Sequence, residues 1–259
     1  MKTKRLKLKL VSPLSILSVF LTLFLWYSLS EDGLKIISAI KFPPPTQVFE
    51  SIEFLGFKIF TDIFATSARV LFGLIVGTIL GCVVGAMIVF SRRTGEFLNP
   101  IIEGSRPVPV IAMIPFFLMW FGIEEPGKLF LVTIGVFMIV VVNVSESIRN
   151  VPKLYIQAAQ TLGASTRIIR KRIIFPAIIP ALIGPLRVAV ALTFTLVVAA
   201  EFMGAQNGIG YRILEARRLF YPQVILLGII QLGILASIFD AVLQRTMGRI
   251  TRWSGRESK

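Results

Sequence analysis

From residue 70 to residue 90 the chain runs for twenty-one residues without one charged side chain, with glycine at 73, 77, 81 and 85. That length matches the about 20 apolar residues an α-helix needs to cross a bilayer. Lipid offers the backbone no hydrogen-bonding water, so such a run must close its own hydrogen bonds, as a helix does. Five more stretches follow the same rule: 14–29, 107–123, 129–144, one within 173–200, and 224–243. The expectation is an all-α integral membrane protein with about six transmembrane helices.

Composition supports a bilayer as solvent. Only 16% of the 259 residues are charged, against about 25% in soluble domains, and mean hydropathy is +0.80. The net charge of +14 reads as loops held on the cytoplasmic side rather than as nucleic-acid binding. With six spans, nineteen Lys and Arg fall on one side and seven on the other. Both termini are therefore expected inside. There is no His and one Cys, Cys82. These counts exclude His triads, His metal sites, CxxC pairs and internal disulfides, so no metal site is expected.

Three sections are expected: 1–66, a basic N-terminus with the first span and an outer segment; 67–245, the core; and 246–259, a basic tail. The first apolar run after "MKTKRLKLKL" is read as a retained helix, with a secretory signal as the rival. In the outer segment, near 30–68, "KFPPPTQVFESI" breaks helix at its prolines. Thr46 is expected to cap a helix from Gln47, and "FESIEFLGFKIF" to lie along the membrane surface. Gly73, Gly77, Gly81 and Gly85 share one helical stripe. Two readings stay open: close helix packing, or a smooth face that slides. In the third run, Pro109 and Pro115 should kink a short helix, and two readings stay open: a break that borders a cavity, or a plain packing kink. Few ionisable groups enter the spans; Glu201, Arg187 and Asp240 sit near their ends.

The inner segment 150–176 carries the most specific signal. Asn150 and Pro152 are expected to start a short helix, "KLYIQAAQTL", with a small face at Ala158 and Ala159. Gly163 then suits a helix end or sharp bend. Ser165 is expected to cap a second, basic helix, and Pro176 to mark re-entry. This helix–turn–helix is either a docking surface for another protein or a solvated loop that fixes topology.

Its spacing resembles the "EAA" loop of ABC importer permeases: Gln157-Ala158-Ala159, three residues, Gly163, nine residues, then Ile173-Ile174-Phe175-Pro176. Gln157 stands for the usual Glu and Phe175 for Leu. "FPPPTQVFESI", "SARVLFG", "RPVPVIAMIPFFLMWFGI", "AAQTLGAS" and "VVAAEFMGAQNGIGYRI" look like the subfamily importing nitrate, taurine and alkanesulfonates, slightly closer to its taurine branch. Related permeases handle bicarbonate or thiamine-pyrimidine precursors. The resemblance implies a type I importer permease fold in a bacterial inner membrane. It further implies a second permease subunit, a homodimer being the expectation, and two cytoplasmic ATPase subunits that hold ATP and Mg2+. A separate binding protein would deliver a small solute, an anion such as a taurine-like sulfonate, nitrate or bicarbonate, or alternatively a neutral pyrimidine precursor, to 30–68, 123–128 and 203–223. No catalysis and no cofactor belong to this subunit. The ATPase-coupling loop would comprise Gln157, Ala158, Ala159, Leu162, Gly163, Ala164, Ser165, Ile173 and Pro176. Arg69, Trp120, Asn143 and Glu201 are candidates for the pathway or its gate, with a structural role competing for each. A stand-alone secondary transporter or channel is the distant alternative, lacking a mid-membrane acid for ion coupling; a membrane enzyme is excluded more strongly by the residue inventory.

Overall fold

A computed structural model describes residues 13–253, and within them every regular element is a helix. The basic N-terminal residues before Pro13 and the end of the tail lie outside the described residues. The helices are α1 (Pro13–Leu29), α2 (Pro45–Leu55), α3 (Lys58–Phe90), α4 (Arg92–Ser105), a 3-10 turn (Val110–Met113), α5 (Ile114–Phe121) and α6 (Glu125–Arg149). There follow α7 (Lys153–Thr161), α8 (Thr166–Ile169), a π turn (Arg170–Ile174), α9 (Phe175–Ala181), α10 (Ile183–Phe202), α11 (Ile209–Arg218) and α12 (Pro222–Ile250).

Among the described residues, α3, α6, α10 and α12 are long and apolar enough to cross a membrane. The third apolar run is part of a broken element: α4 and the helix of 110–121 meet at 91°. The break falls at Arg106–Pro109, where Pro107 and Pro109 withdraw backbone donors. Pro115, expected to kink, instead sits in the first turn of α5, where its missing N–H has no intrahelical partner to lose. The first run forms α1, a shorter apolar helix of 17 residues.

The chain forms two compact units. One holds α1, α2 and the 213–229 segment. Here Trp26 Nε1 donates to the Pro43 carbonyl at 3.0 Å, and Thr46 Oγ1 donates to Asp32 Oδ2 at 2.8 Å. Thr46 is thus not the cap expected of it: α2 begins one residue before it, at Pro45, and no side chain caps it. Gly56, at φ +51°, ends α2, and α3 starts at Lys58, so the expected surface helix is interrupted and residues 58–69 extend the second span.

The other unit, 60–212 with the chain from Ile230 onward, holds the membrane core. Its seam is the contact of α3 with α6. Val132, Val136, Val140 and Val144 repeat every four residues on α6 and meet Gly73, Gly77, Gly81 and Gly85 in that order. A Cβ at Gly77 would lie 2.7 Å from Val136 Cβ and 2.8 Å from the Thr133 carbonyl oxygen. No methyl fits without moving a backbone, so the glycines are a groove for a valine ridge.

Candidate functional site

Two ends of α6 organise the functional residues. At its Arg149 end, α7 packs Ala159 inward, beside Ile169, Ile174 and Ile178. Asn150 is the C-terminal cap of α6 rather than the N-cap of α7, which begins after Pro152 without a side-chain cap. The end of α7 is closed by two backbone bonds: Ala164 N–H to the Ala159 carbonyl and Gly163 N–H to the Gln160 carbonyl, both 2.9 Å. This is a Schellman motif. It requires a left-handed residue, supplied by Gly163 at φ +76°. It also brings Ala164 back over Ala159, which explains small residues at both positions.

Ser165 stands at the N-terminus of α8 but makes no capping side-chain bond. Beyond it, Arg170 Nη2 donates to the Phe90 carbonyl at 3.3 Å and its guanidinium lies 4.5 Å from the Phe90 ring centre. A cation thus closes the carbonyl end of α3. The Phe175 ring meets Phe90 edge-on at 5.9 Å, giving a physical use for an aromatic residue where the motif has Leu. Ile173 packs on the core and Pro176 occupies the first turn of α9.

What the loop presents is an apolar stripe. Leu154, Ala158 and Leu162 lie four residues apart on the exposed side of α7 and its cap, with Leu154 71% and Leu162 87% exposed. Tyr155 stands beside them, also exposed. Leu154 and Tyr155 were not among the sequence candidates, although the i, i+4, i+8 spacing was there to find Leu154. Gln157 is exposed, and only its carbonyl is engaged, by Thr161 Oγ1 at 3.0 Å.

At the Glu125 end of α6, the structure joins Arg69 and Glu201. Arg69 Nε and Nη2 grip the Glu125 carboxylate at 3.0 and 2.7 Å. Nη1 donates to Glu201 Oε1 at 2.8 Å and to the Asn207 carbonyl at 2.9 Å, and Nη2 to Asn207 Oδ1 at 2.7 Å. All five guanidinium N–H groups are spent, so none is left for a solute anion. Asp62, Thr66 and Arg69 line one face of α3 and receive the start of α11. Gly208 N–H donates to Asp62, Ile209 N–H to Thr66 and Gly210 N–H to Glu201, at 2.9, 2.9 and 2.7 Å. Those N–H groups have no intrahelical acceptor, and the carboxylates also meet the positive end of the helix dipole. Thr66 Oγ1 in turn donates a hydrogen bond to Glu201 Oε1 at 2.8 Å. A side chain at Gly208 would collide with the Glu201 carboxylate. Lys128 on Glu125 and Arg212 on Asp62 complete the cluster, at 3.1 and 2.8 Å, so three cations face three carboxylates.

Asn143 stands apart, eighteen residues along α6 from Glu125, or about 27 Å. It lines a half-open cavity of about 540 Å³ bordered by the bend between α4 and α5, by α6 and by Leu192 of α10. Its Nδ2 donates to the Ile139 carbonyl at 2.8 Å, which leaves its Oδ1 as an acceptor toward the cavity. Trp120 does not line this space; it is exposed on α5, with its ring 5.0 Å from Phe116. The four pathway candidates are therefore two buried, mutually paired residues, one cavity residue and one exposed aromatic. Among the described residues no cluster of His, Cys, Asp and Glu is arranged to hold a metal ion.

Comparison with known proteins gives a consistent picture. Residues 73–253 match the family described as "Binding-protein-dependent transport system inner membrane component". The taurine transport system permease protein of Escherichia coli K12 is 30% identical over 249 residues, covering 93% of this chain and 90% of that protein. A probable ABC transporter permease protein of Brucella abortus is 32% identical, covering 89% of this chain and 91% of that one. In three dimensions, a chain of an inward-facing MetNI methionine ABC transporter superposes with a TM-score of 0.59 at 20% identity, over 77% of this chain and 97% of that chain.

Proposed function

The chain belongs to the family of binding-protein-dependent transport inner membrane components, and from that premise we propose that it forms half of the translocation pathway for a small sulfonate, taurine-like in size and charge. It is an ABC importer permease. Its second half is a further copy of the same chain, each copy docks one ATPase subunit that holds ATP and Mg2+, and a separate binding protein delivers the solute. The permease contributes no bond-breaking step and needs no cofactor of its own.

The exposed Leu154–Ala158–Leu162 stripe on a Schellman-closed helix carries this reading. Apolar side chains this exposed outside the spans suit a protein cleft better than water. Ala158 makes a notch between the two leucines, and the positive-φ turn at Gly163 fixes the angle of the loop. The coupling loop is assigned to the cytoplasm, and so are both termini. The support is the excess of Lys and Arg on that side. The sulfonate cargo rests on the likeness to the taurine permease along nearly the whole chain.

Co-expression with the cognate ATPase tests the docking. Leu162→Asp should abolish co-purification while the permease still reaches the membrane; an undiminished complex refutes it. Uptake of labelled taurine and ethanesulfonate by the reconstituted transporter tests the cargo.

A further inference from the structure

A second cation enters the spans, and its chemistry differs from that of Arg69. Arg187 on α10 donates from Nε to Asp240 Oδ1 at 2.7 Å and from Nη2 to Oδ2 at 3.0 Å, across to α12. Gln244 Nε2 also donates to Asp240 Oδ2, at 2.6 Å. Two of the five guanidinium N–H groups are used, and the Nη1 edge remains open. The Arg187 side chain is 49% exposed and that of Asp240 29%. The pair lines a groove of about 510 Å³ between α10 and α12, kept open by Gly184, Ala191, Ala236 and Ser237. Leu192, the next residue, lines the cavity that holds Asn143, about 100° round the helix from Ala191. Arg187 lies fourteen residues from Glu201, about 21 Å along α10 and one turn from the start of that helix at Ile183.

We propose that Arg187 and Asp240 form a zwitterion-reading site on the translocation pathway, taking the anionic oxoacid end of a small solute on the open guanidinium edge and its ammonium end on Asp240. The inference rests on the sulfonate-import reading above and narrows it to amino-sulfonates. A simple anion bound to Arg187 would also face the Asp240 carboxylate and leave one uncompensated negative charge in a medium of low dielectric. A zwitterion presents one partner to each group and leaves the site neutral throughout. The bidentate pair keeps the fork fixed, and Gln244 holds the carboxylate, so recognition begins from an ordered arrangement. Arg69 has no donor left for this task.

The test uses the complete transporter with its ATPase and binding protein in phosphatidylcholine vesicles, at saturating probe. Taurine and ethanesulfonate share the sulfonate and differ in the ammonium group. Wild type should move taurine faster. Asp240→Asn should lower taurine transport at least tenfold and raise ethanesulfonate transport above its wild-type rate, because the carboxylate that opposes a simple anion is gone. The double variant Arg187→Gln/Asp240→Asn, which keeps no unpaired charge, should assemble and erase the preference. Equal loss of both probes, or an unchanged ratio in an assembled complex, overturns the inference and leaves the sulfonate reading standing. A wild-type complex that hydrolyses ATP on addition of the loaded binding protein but moves neither probe overturns the sulfonate reading itself. If the Asp240→Asn effect appears only when phosphatidylethanolamine is added, the zwitterion is a lipid headgroup and the site is not on the pathway.

Discussion

Replacing Arg69 with Met should be far more damaging than any exposed charge deletion, because the structure leaves its partners nowhere to turn. Glu201 is fully buried, and after the change it keeps only Thr66 and the Gly210 N–H. Glu125 is half-exposed and retains Lys128, so its share of the loss is small. Removing one member of a buried ion pair costs about 3–5 kcal/mol, mostly for the charge left behind. In a chain of this size each kcal/mol moves the unfolding midpoint by about 2–4 °C, so the variant should melt roughly 6–20 °C below wild type. The double variant Arg69→Met/Glu201→Gln removes both charges and should recover more than half of the loss. The assay is a double-mutant cycle of thermal unfolding in detergent micelles, followed by loss of the monodisperse species. Because the five bonds also fix Asn207 and the first turn of α11, protease sensitivity at 203–208 should rise in the single variant. A midpoint within 2 °C of wild type, or additive losses in the double variant, would refute the reasoning that Arg69 is a structural pin.

The proposed coupling loop, the helix seam and the cavity give four more predictions. Gly163→Val places a β-branched residue at φ +76°, at about 1–3 kcal/mol of local strain; it should uncouple ATP hydrolysis from uptake, and normal coupled uptake would count against the loop assignment. Gln157→Glu should leave uptake within twofold of wild type, since the side chain is exposed and meets no acidic partner at the loop. Gly77→Leu must separate α3 from α6, an overpacking of at least about 1–3 kcal/mol; it should reduce membrane yield and uptake together, whereas normal yield with lost uptake would favour a sliding seam. Asn143→Leu should lower uptake without lowering yield, because its Nδ2 bond to Ile139 is local to α6; unchanged uptake would remove the cavity from the pathway.

Much of this molecule was legible in one dimension. The long apolar runs set the helices, because a backbone in lipid must bond to itself. The spacing of Ala159, Gly163 and Ala164 contained the Schellman cap, which depends only on residues within one turn of each other. The glycines four apart announced a tight helix contact. Sequence did not reveal the partner helix or its valines, because each glycine and the valine it meets are fifty-nine residues apart in the chain. Capping was misread at Thr46 and Asn150 for a related reason. Both residues are good caps in isolation, yet Thr46 bonds to Asp32, and Asn150 serves the helix before it.

The charged residues divide the two levels of information most sharply. In sequence, Arg69 was a candidate for the pathway or its gate with a structural role competing, and Arg187 was one ionisable residue near a helix end. The fold reverses their prospects. Arg69 is enclosed by acceptors from α6, α10 and the loop before α11, so every donor is consumed. Arg187 meets a single carboxylate and keeps an open edge over a groove. Chain order determined which residues are apolar, basic or helix-breaking, and with that the long apolar helices and the bent segment 150–176. Only tertiary structure decided which charges are satisfied, because hydrogen-bond capacity is used up by neighbours that chain order keeps more than fifty residues apart.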